Sequence, residues 1–159
     1  MALYFAYGSN LSTADWQRWC AEHGHEPHGL SYLRPARLEG WALEFSIRSR
    51  RRGGGVLNMR ECAGAVVCGG LFEVDAQGWR ALDAKEGVPT TYERRGVTVQ
   101  CSQGLRLEVQ TYVAAPGVAA RLVRPADPYV ALVRQALLDL QIDAQGLETA
   151  AALGYTLGE

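Results

Sequence analysis

Apolar and polar positions along the chain follow two periods, and the switches between them mark out its elements. Leu3 to Tyr7 is a short apolar and aromatic run closed by Gly8-Ser9-Asn10, which reads as a buried strand entering a loop. Ser12 or Thr13 can cap a following helix, on which Trp16, Trp19 and Cys20 share one face at i, i+3 and i+4. Gly24 to Gly29 is loop. Trp41, Leu43, Phe45 and Ile47 then alternate with Ala42, Glu44 and Ser46, the period of two of a half-buried strand.

Arg48 to Gly55, with Arg50-Arg51-Arg52 ahead of three glycines, reads as a turn or hairpin tip. Ala65 to Val74 is an apolar, β-branched strand broken at Gly69-Gly70 by a bulge or a close backbone contact. Asp75 caps a short helix that carries Trp79 and Leu82 inward and stops at Gly87 and Pro89. Two alternating strands follow, Val97-Val99-Cys101 and Leu105 to Val113, with Gly104 in the turn between them. After an irregular connection from Ala114 to Asp127, Asp127-Pro128 opens a helix whose apolar face is Tyr129, Leu132, Val133, Ala136, Leu137 and Leu140. A last helix, capped by Asp143, runs to about Leu153. Strands in the centre with helices between and after them give an α+β class, and no repeat or linker divides residues 1–159 into more than one domain.

Composition removes several alternatives. Hydrophobic residues at 48% and charged residues at 21% are ordinary globular usage, which excludes disorder, collagen and coiled coil. A formal charge of -1 provides no global field to recruit nucleic acid or an acidic membrane. The Arg48 to Arg52 segment could grip phosphate, but it lacks the interleaved aromatics of a nucleic-acid surface. Lys85 is the only lysine; arginine carries the rest of the positive charge. Cys20, Cys62, Cys68 and Cys101 show no C-x-x-C spacing and read as reduced, mostly buried thiols. The start of the chain lacks a basic n-region, and no apolar run approaches 18 residues, so the expectation is a cytoplasmic protein without a membrane segment.

Three constellations could carry chemistry. Gly8-Ser9-Asn10 reads either as a strand-to-helix turn or as a concavity of backbone N–H groups that binds an anion, with Ser9 and Asn10 as additional donors. Leu82-Asp83-Ala84-Lys85-Glu86-Gly87 reads either as a solvated helix end or as the seat of a tuned acid. A carboxylate at a helix C-terminus opposes the dipole, and its pKa rises further if it is buried. Periodicity leaves open whether Asp83 or Glu86 points inward. His23, His25 and His28 lie in a segment punctuated by Gly24, Pro27 and Gly29, with no acidic or cysteine pattern after it, so a solvated loop is expected rather than a metal site. Ser9 sits in no G-x-S-x-G elbow and is not read as a nucleophile.

Taken together, these segments resemble the γ-glutamylcyclotransferase family. Tyr4-Phe5-Ala6-Tyr7-Gly8-Ser9-Asn10-Leu11 is similar to that family's substrate loop. The turn Gly53-Gly54-Gly55, the strand Val66 to Val74, Leu82 to Gly87, Tyr92 and Pro128-Tyr129 follow in the family order, so the likeness spans residues 3 to 140. The resemblance implies a small mixed β-barrel with peripheral helices, often dimeric, with a cavity at the barrel mouth. It implies that Glu86 is a single catalytic acid/base. Tyr4, Phe5, Ala6, Tyr7, Gly8 and Ser9 match the loop whose backbone holds a γ-glutamyl group, and Asn10 completes that loop. Tyr92 and Tyr129 match tyrosines on the substrate side. The Arg-rich tip and the histidine loop depart from the family, and the acceptor side of the substrate is therefore open.

The implied reaction is intramolecular: the α-amine of a γ-glutamyl compound attacks its own γ-carbonyl, releasing 5-oxoproline and a free amine or amino acid. Nucleophile and electrophile are already tethered, so no metal, cofactor or protein nucleophile is expected, and the partner is a small γ-glutamyl molecule. Two rivals share the residues: a non-catalytic binding protein on the same fold, against which Glu86 argues, and an enzyme that deprotects a bulky or carrier-bound γ-glutamyl amine.

Overall fold

The computed structural model describes residues 2–157; Met1, Gly158 and Glu159, included in the one-domain expectation, lie outside them. Among the described residues, five strands and four α-helices follow the chain as β1 (Ala2–Ala6), α1 (Thr13–His23), β2 (Leu30–Ser49), β3 (Gly54–Val74), α2 (Ala76–Glu86), β4 (Tyr92–Gln100), β5 (Arg106–Ala114), α3 (Asp127–Asp139) and α4 (Gln145–Tyr155). The strands close into a barrel in the order β1-β3-β2-β4-β5. The β1–β3, β3–β2, β2–β4 and β4–β5 pairs are antiparallel, and β5 meets β1 in parallel at Tyr4 and Gln110. This is the small mixed barrel with peripheral helices that the family resemblance implied.

Local chemistry explains several boundaries. The Ser12 side chain accepts the Asp15 amide at the start of α1, and the Asp75 carboxylate accepts the Gly78 amide at the start of α2. Gly87 ends α2 in the left-handed region at φ 67°, which glycine reaches without a steric penalty. Two caps lie elsewhere than expected. Asp127 is the first residue of α3 and Ala126 its cap; Asp143 precedes α4 and accepts the Gln145 amide from a turn, while Ala144 is the cap.

The strand lengths correct the sequence reading most. β2 begins at Leu30, well before the expected Trp41, and β3 begins at Gly54 instead of Ala65. A register shift between Tyr32 and Arg34 resets the alternation, after which Ala36 and Leu38 face inward and Arg37 and Glu39 outward. Gly54 to Met59 is buried throughout, so that half of β3 shows no alternation. Gly54 and Gly55 belong to the strand and not to the turn. The chain at 123–126 lies against them: Gly55 N–H donates to the Arg124 carbonyl at 2.8 Å, and a Cβ at Gly55 would come within 2.2 Å of the Val123 carbonyl oxygen.

Core residues fill the barrel and the seams beneath the helices, with Phe5, Phe45, Leu57, Leu71, Leu82, Val99, Tyr112 and Leu137 almost fully buried. Leu82 faces inward as expected; Trp79 is only half-buried, and the Arg94 guanidinium covers its ring at 4.4 Å. All four cysteines are free, Cys20 and Cys101 buried and Cys62 and Cys68 half-buried. Among the described residues no helix is long and apolar enough to cross a membrane.

Gly78 seats α2 on the start of β2. A Cβ there would lie 2.2 Å from the Gly29 carbonyl oxygen, and that carbonyl accepts the Asp75 amide at 3.1 Å. Gly78→Ala is therefore expected to cost about 1–3 kcal/mol in chemical denaturation, the range of an overpacked contact. An unchanged midpoint would show that α2 can shift without loss.

Candidate active site

One end of the barrel opens into a cavity of about 290 Å³, walled by residues of β1, the loop after it, α1, the end of β2, the β2–β3 turn, the start of β3, the end of α2, β4, β5 and α3. The loop Gly8-Ser9-Asn10 turns directly into a short 3-10 segment, Ser9–Leu11, in which Leu11 N–H donates to the Gly8 carbonyl at 3.0 Å. The first N–H groups of such a turn have no acceptor within it, and among the described residues no other backbone acceptor takes those of Ser9 and Asn10.

Of the residues singled out by sequence, Tyr4, Tyr7, Gly8, Ser9, Asn10, Glu86, Tyr92 and Tyr129 line this cavity. Phe5 and Ala6 do not. Both are fully buried in the core, and the Phe5 ring fills the space that a side chain at Gly69 would need, within 2.8 Å of its position. Asp83 also lies apart: it receives the Tyr112 hydroxyl at 2.6 Å and Arg94 Nε at 2.9 Å on the outer side of α2. The choice between the two carboxylates of α2 thus falls to Glu86.

Glu86 is held by Asn10, whose Nδ2 donates to Glu86 Oε1 at 2.7 Å and to the Tyr4 hydroxyl at 3.0 Å. Asn10 Oδ1 accepts Lys85 Nζ at 2.6 Å. An ammonium can only donate, so Lys85 fixes which end of the Asn10 amide faces Glu86. Burial pushes the Glu86 carboxyl above the ordinary carboxylate range, and the Lys85 charge, the Asn10 hydrogen bond and Arg52 pull it only part of the way back. Two tyrosines bracket the backbone of Leu57: Tyr92 donates to the Leu57 carbonyl at 2.7 Å, and the Leu57 N–H reaches the Tyr129 hydroxyl at 3.4 Å. Tyr129 thereby keeps its own O–H proton to donate. Burial raises the pKa of all five tyrosine hydroxyls in the cavity wall, Tyr4, Tyr7, Tyr92, Tyr112 and Tyr129, which stay neutral.

The sequence reading missed the group that supports this arrangement. Asp15, wholly buried on α1, takes Arg52 as a fork at 2.9 and 2.8 Å and Lys85 Nζ at 2.9 Å. Burial pushes the Asp15 carboxyl up, but the Arg52 and Lys85 hydrogen bonds and charges outweigh it and hold it at about 2 against an ordinary 3.8. One signal was visible: Asp15 precedes Trp16 on a face otherwise apolar. Lys85, expected to be solvated, is 4% exposed. The three histidines stay outside the cavity; His23 closes α1 instead of lying in the loop, and it and His25 stack on Trp19 at 4.4 and 5.2 Å. Among the described residues no three His, Cys, Asp or Glu side chains gather in a way that could hold a metal ion.

Comparison with known proteins bears on the family and the fold. A family model described as gamma-glutamyl cyclotransferase, AIG2-like, matches residues 4–131. A Bos taurus protein described as gamma-glutamylcyclotransferase is 30% identical over 115 residues, which cover 69% of this chain and 57% of that protein, so the match spans little more than half the relative's length. A solved structure described as a gamma-glutamyl cyclotransferase superposes with a TM-score of 0.79 over 95% of this chain and 86% of its own, at 23% identity. A yeast structure described as a cyclotransferase specific to glutathione gives 0.61 over 98% and 96%, at 12% identity. At these identities the two structures speak for the fold.

The Asp15 cluster makes a prediction about acid. The folded pKa lies below the unfolded one, so its stabilisation is complete above pH 4 and is lost as pH falls towards 2. Asp15→Asn should cost about 3 kcal/mol or more at pH 7, since it leaves buried cations unpaired. The gap to wild type should narrow by about 2 kcal/mol on acidification. Urea titrations across that pH range measure it; a gap independent of pH would show that Asp15 is not the titrating partner.

Proposed function

The chain belongs to the gamma-glutamyl cyclotransferase, AIG2-like family, and from that premise we propose that it releases 5-oxoproline from a γ-glutamyl amino acid or amine, with Glu86 as general acid and base. The observation that carries this reading is the position of Glu86. Its carboxylate lines a cavity large enough for a small ligand, is tethered on one oxygen by Asn10 at 2.7 Å, and has a raised pKa.

The steps follow from that carboxylate. Ionised Glu86 removes a proton from the substrate's α-ammonium. The freed amine attacks the γ-carbonyl carbon and closes a five-membered ring, and the carbonyl oxygen becomes an oxyanion. The oxyanion then collapses to the lactam carbonyl as the C–N bond to the leaving amine breaks; protonated Glu86 returns its proton to that nitrogen, the carboxylate so regenerated takes the extra proton from the ring nitrogen, and 5-oxoproline leaves. Holding the tethered reactants in a near-attack shape can contribute ~7–11 kcal/mol, and proton transfer a further ~10²–10⁴-fold. The loop amides of Gly8, Ser9 and Asn10 serve the γ-glutamyl head, and the free O–H of Tyr129 is a donor for its developing negative charge.

Two measurements test the assignment. Glu86→Gln keeps shape and hydrogen bonding but cannot take the ammonium proton, so kcat for 5-oxoproline release should fall by about 10² or more with the melting temperature preserved. Near-normal turnover would end Glu86's role. In wild type the ascending limb of kcat/KM against pH should lie above the ordinary carboxylate value of 4.5.

Gly8→Ala tests the loop. An added Cβ would stand 3.2 Å from the Tyr129 hydroxyl, so the loop and that donor are forced apart. Calorimetric affinity for 5-oxoproline as product should weaken, while the unfolding free energy changes by less than about 1 kcal/mol. Equal affinity in a folded variant would place the substrate elsewhere.

A further inference from the structure

The β2–β3 turn carries charge that the reaction does not use. Arg48, at the end of β2, and Arg51 and Arg52, on the turn, line the cavity, whereas Arg50, on the same turn, does not. Arg52 is fixed by its fork to buried Asp15, and its own amide donates to Ser49 Oγ at 3.2 Å, so the turn is anchored at the cavity mouth. Lys85 and Arg52 are balanced by Asp15 and Glu86. Arg48 and Arg51 are not: both are exposed, and among the described residues neither forms an ion pair.

A γ-glutamyl head brings one ammonium and one carboxylate, no net charge, so it leaves the two guanidinium charges unanswered. They face the remaining part of any bound substrate, the amine that departs. We propose that Arg48 and Arg51 form the acceptor subsite and that the preferred leaving amine carries two negative charges beyond its nitrogen, as an aminodicarboxylate or an aminoalkyl phosphate does. Guanidinium pairs with carboxylate or phosphate oxygens through forked hydrogen bonds, so both sources satisfy the same chemistry. The proposal rests on the cyclotransferase reading of the site.

The test compares kcat/KM for 5-oxoproline release from γ-glutamyl-glutamate, γ-glutamyl-phosphoethanolamine, γ-glutamyl-alanine and γ-glutamyl-ethylamide. At least one of the first two should exceed the neutral ethylamide by about tenfold or more, with alanine between, and their order tells dicarboxylate from phosphate. In the double variant Arg48→Gln/Arg51→Gln that ratio should fall close to one. Arg50→Gln, which removes the same charge from the same turn outside the cavity, should keep the wild-type ratio. Raising ionic strength towards 1 M should lower the wild-type ratio without any substitution. Equal kcat/KM for all four compounds in wild type, or a ratio that survives the double variant, would overturn the subsite and leave the cyclotransferase reading standing. Release from none of the four would overturn that reading, and the subsite with it.

Discussion

Asp15 carries a full negative charge into a position with no solvent exposure, and two cations from distant elements meet it there. Arg52 arrives from the β2–β3 turn, 37 residues on, and Lys85 from the end of α2, 70 residues on. Desolvating three charges is expensive, and the fork geometry and multiple hydrogen bonds are what offset it. The outcome is positional. One carboxylate ties α1, α2 and the hairpin tip together around a single cavity, and Lys85 passes the constraint through Asn10 to Glu86. Glu86 is therefore placed by a chain of hydrogen bonds, each with one possible direction.

The barrel gives that cluster its frame. β1 lies between β3 and β5, so the strand that completes the ring runs straight into the loop at Gly8. Leu57 of β3 offers its carbonyl to Tyr92 and its N–H to Tyr129, and so fixes side chains from β4 and α3 in the wall of the cavity. The wall is thus built from backbone groups of the sheet as much as from side chains.

What the sequence disclosed divides by range. Caps and stops at Ser12, Asp75 and Gly87 were legible because their causes are local, as was the run from Leu3 to Tyr7 into its loop. The first half of β2 was hidden because a bulge near Leu33 shifts its alternation and Pro35 interrupts the strand pattern. The first half of β3 was hidden because burial of the whole run from Gly54 to Met59 erases alternation, and its glycines serve a neighbouring chain segment instead of a turn. The candidate site was legible only through the family resemblance, which brought Tyr4 to Asn10, Glu86, Tyr92 and Tyr129 together. Phe5 and Ala6 were drawn in with the motif although their side chains belong to the core. The Asp15–Lys85–Arg52 cluster had no local signature, since each member alone is an ordinary charged residue.

Lys85 has a consequence for the chemistry of the whole molecule. It is the only lysine, and its ammonium spends its three N–H bonds on Asn10, Asp15 and, at 3.4 Å, Ser9. Acylating reagents need a free amine lone pair, so this side chain can react only from states in which α1, α2 and the loop have separated. Its acylation is then a clock for that separation: the rate of label uptake at one residue reports how often the site comes apart, and a bound ligand that bridges the same elements slows it.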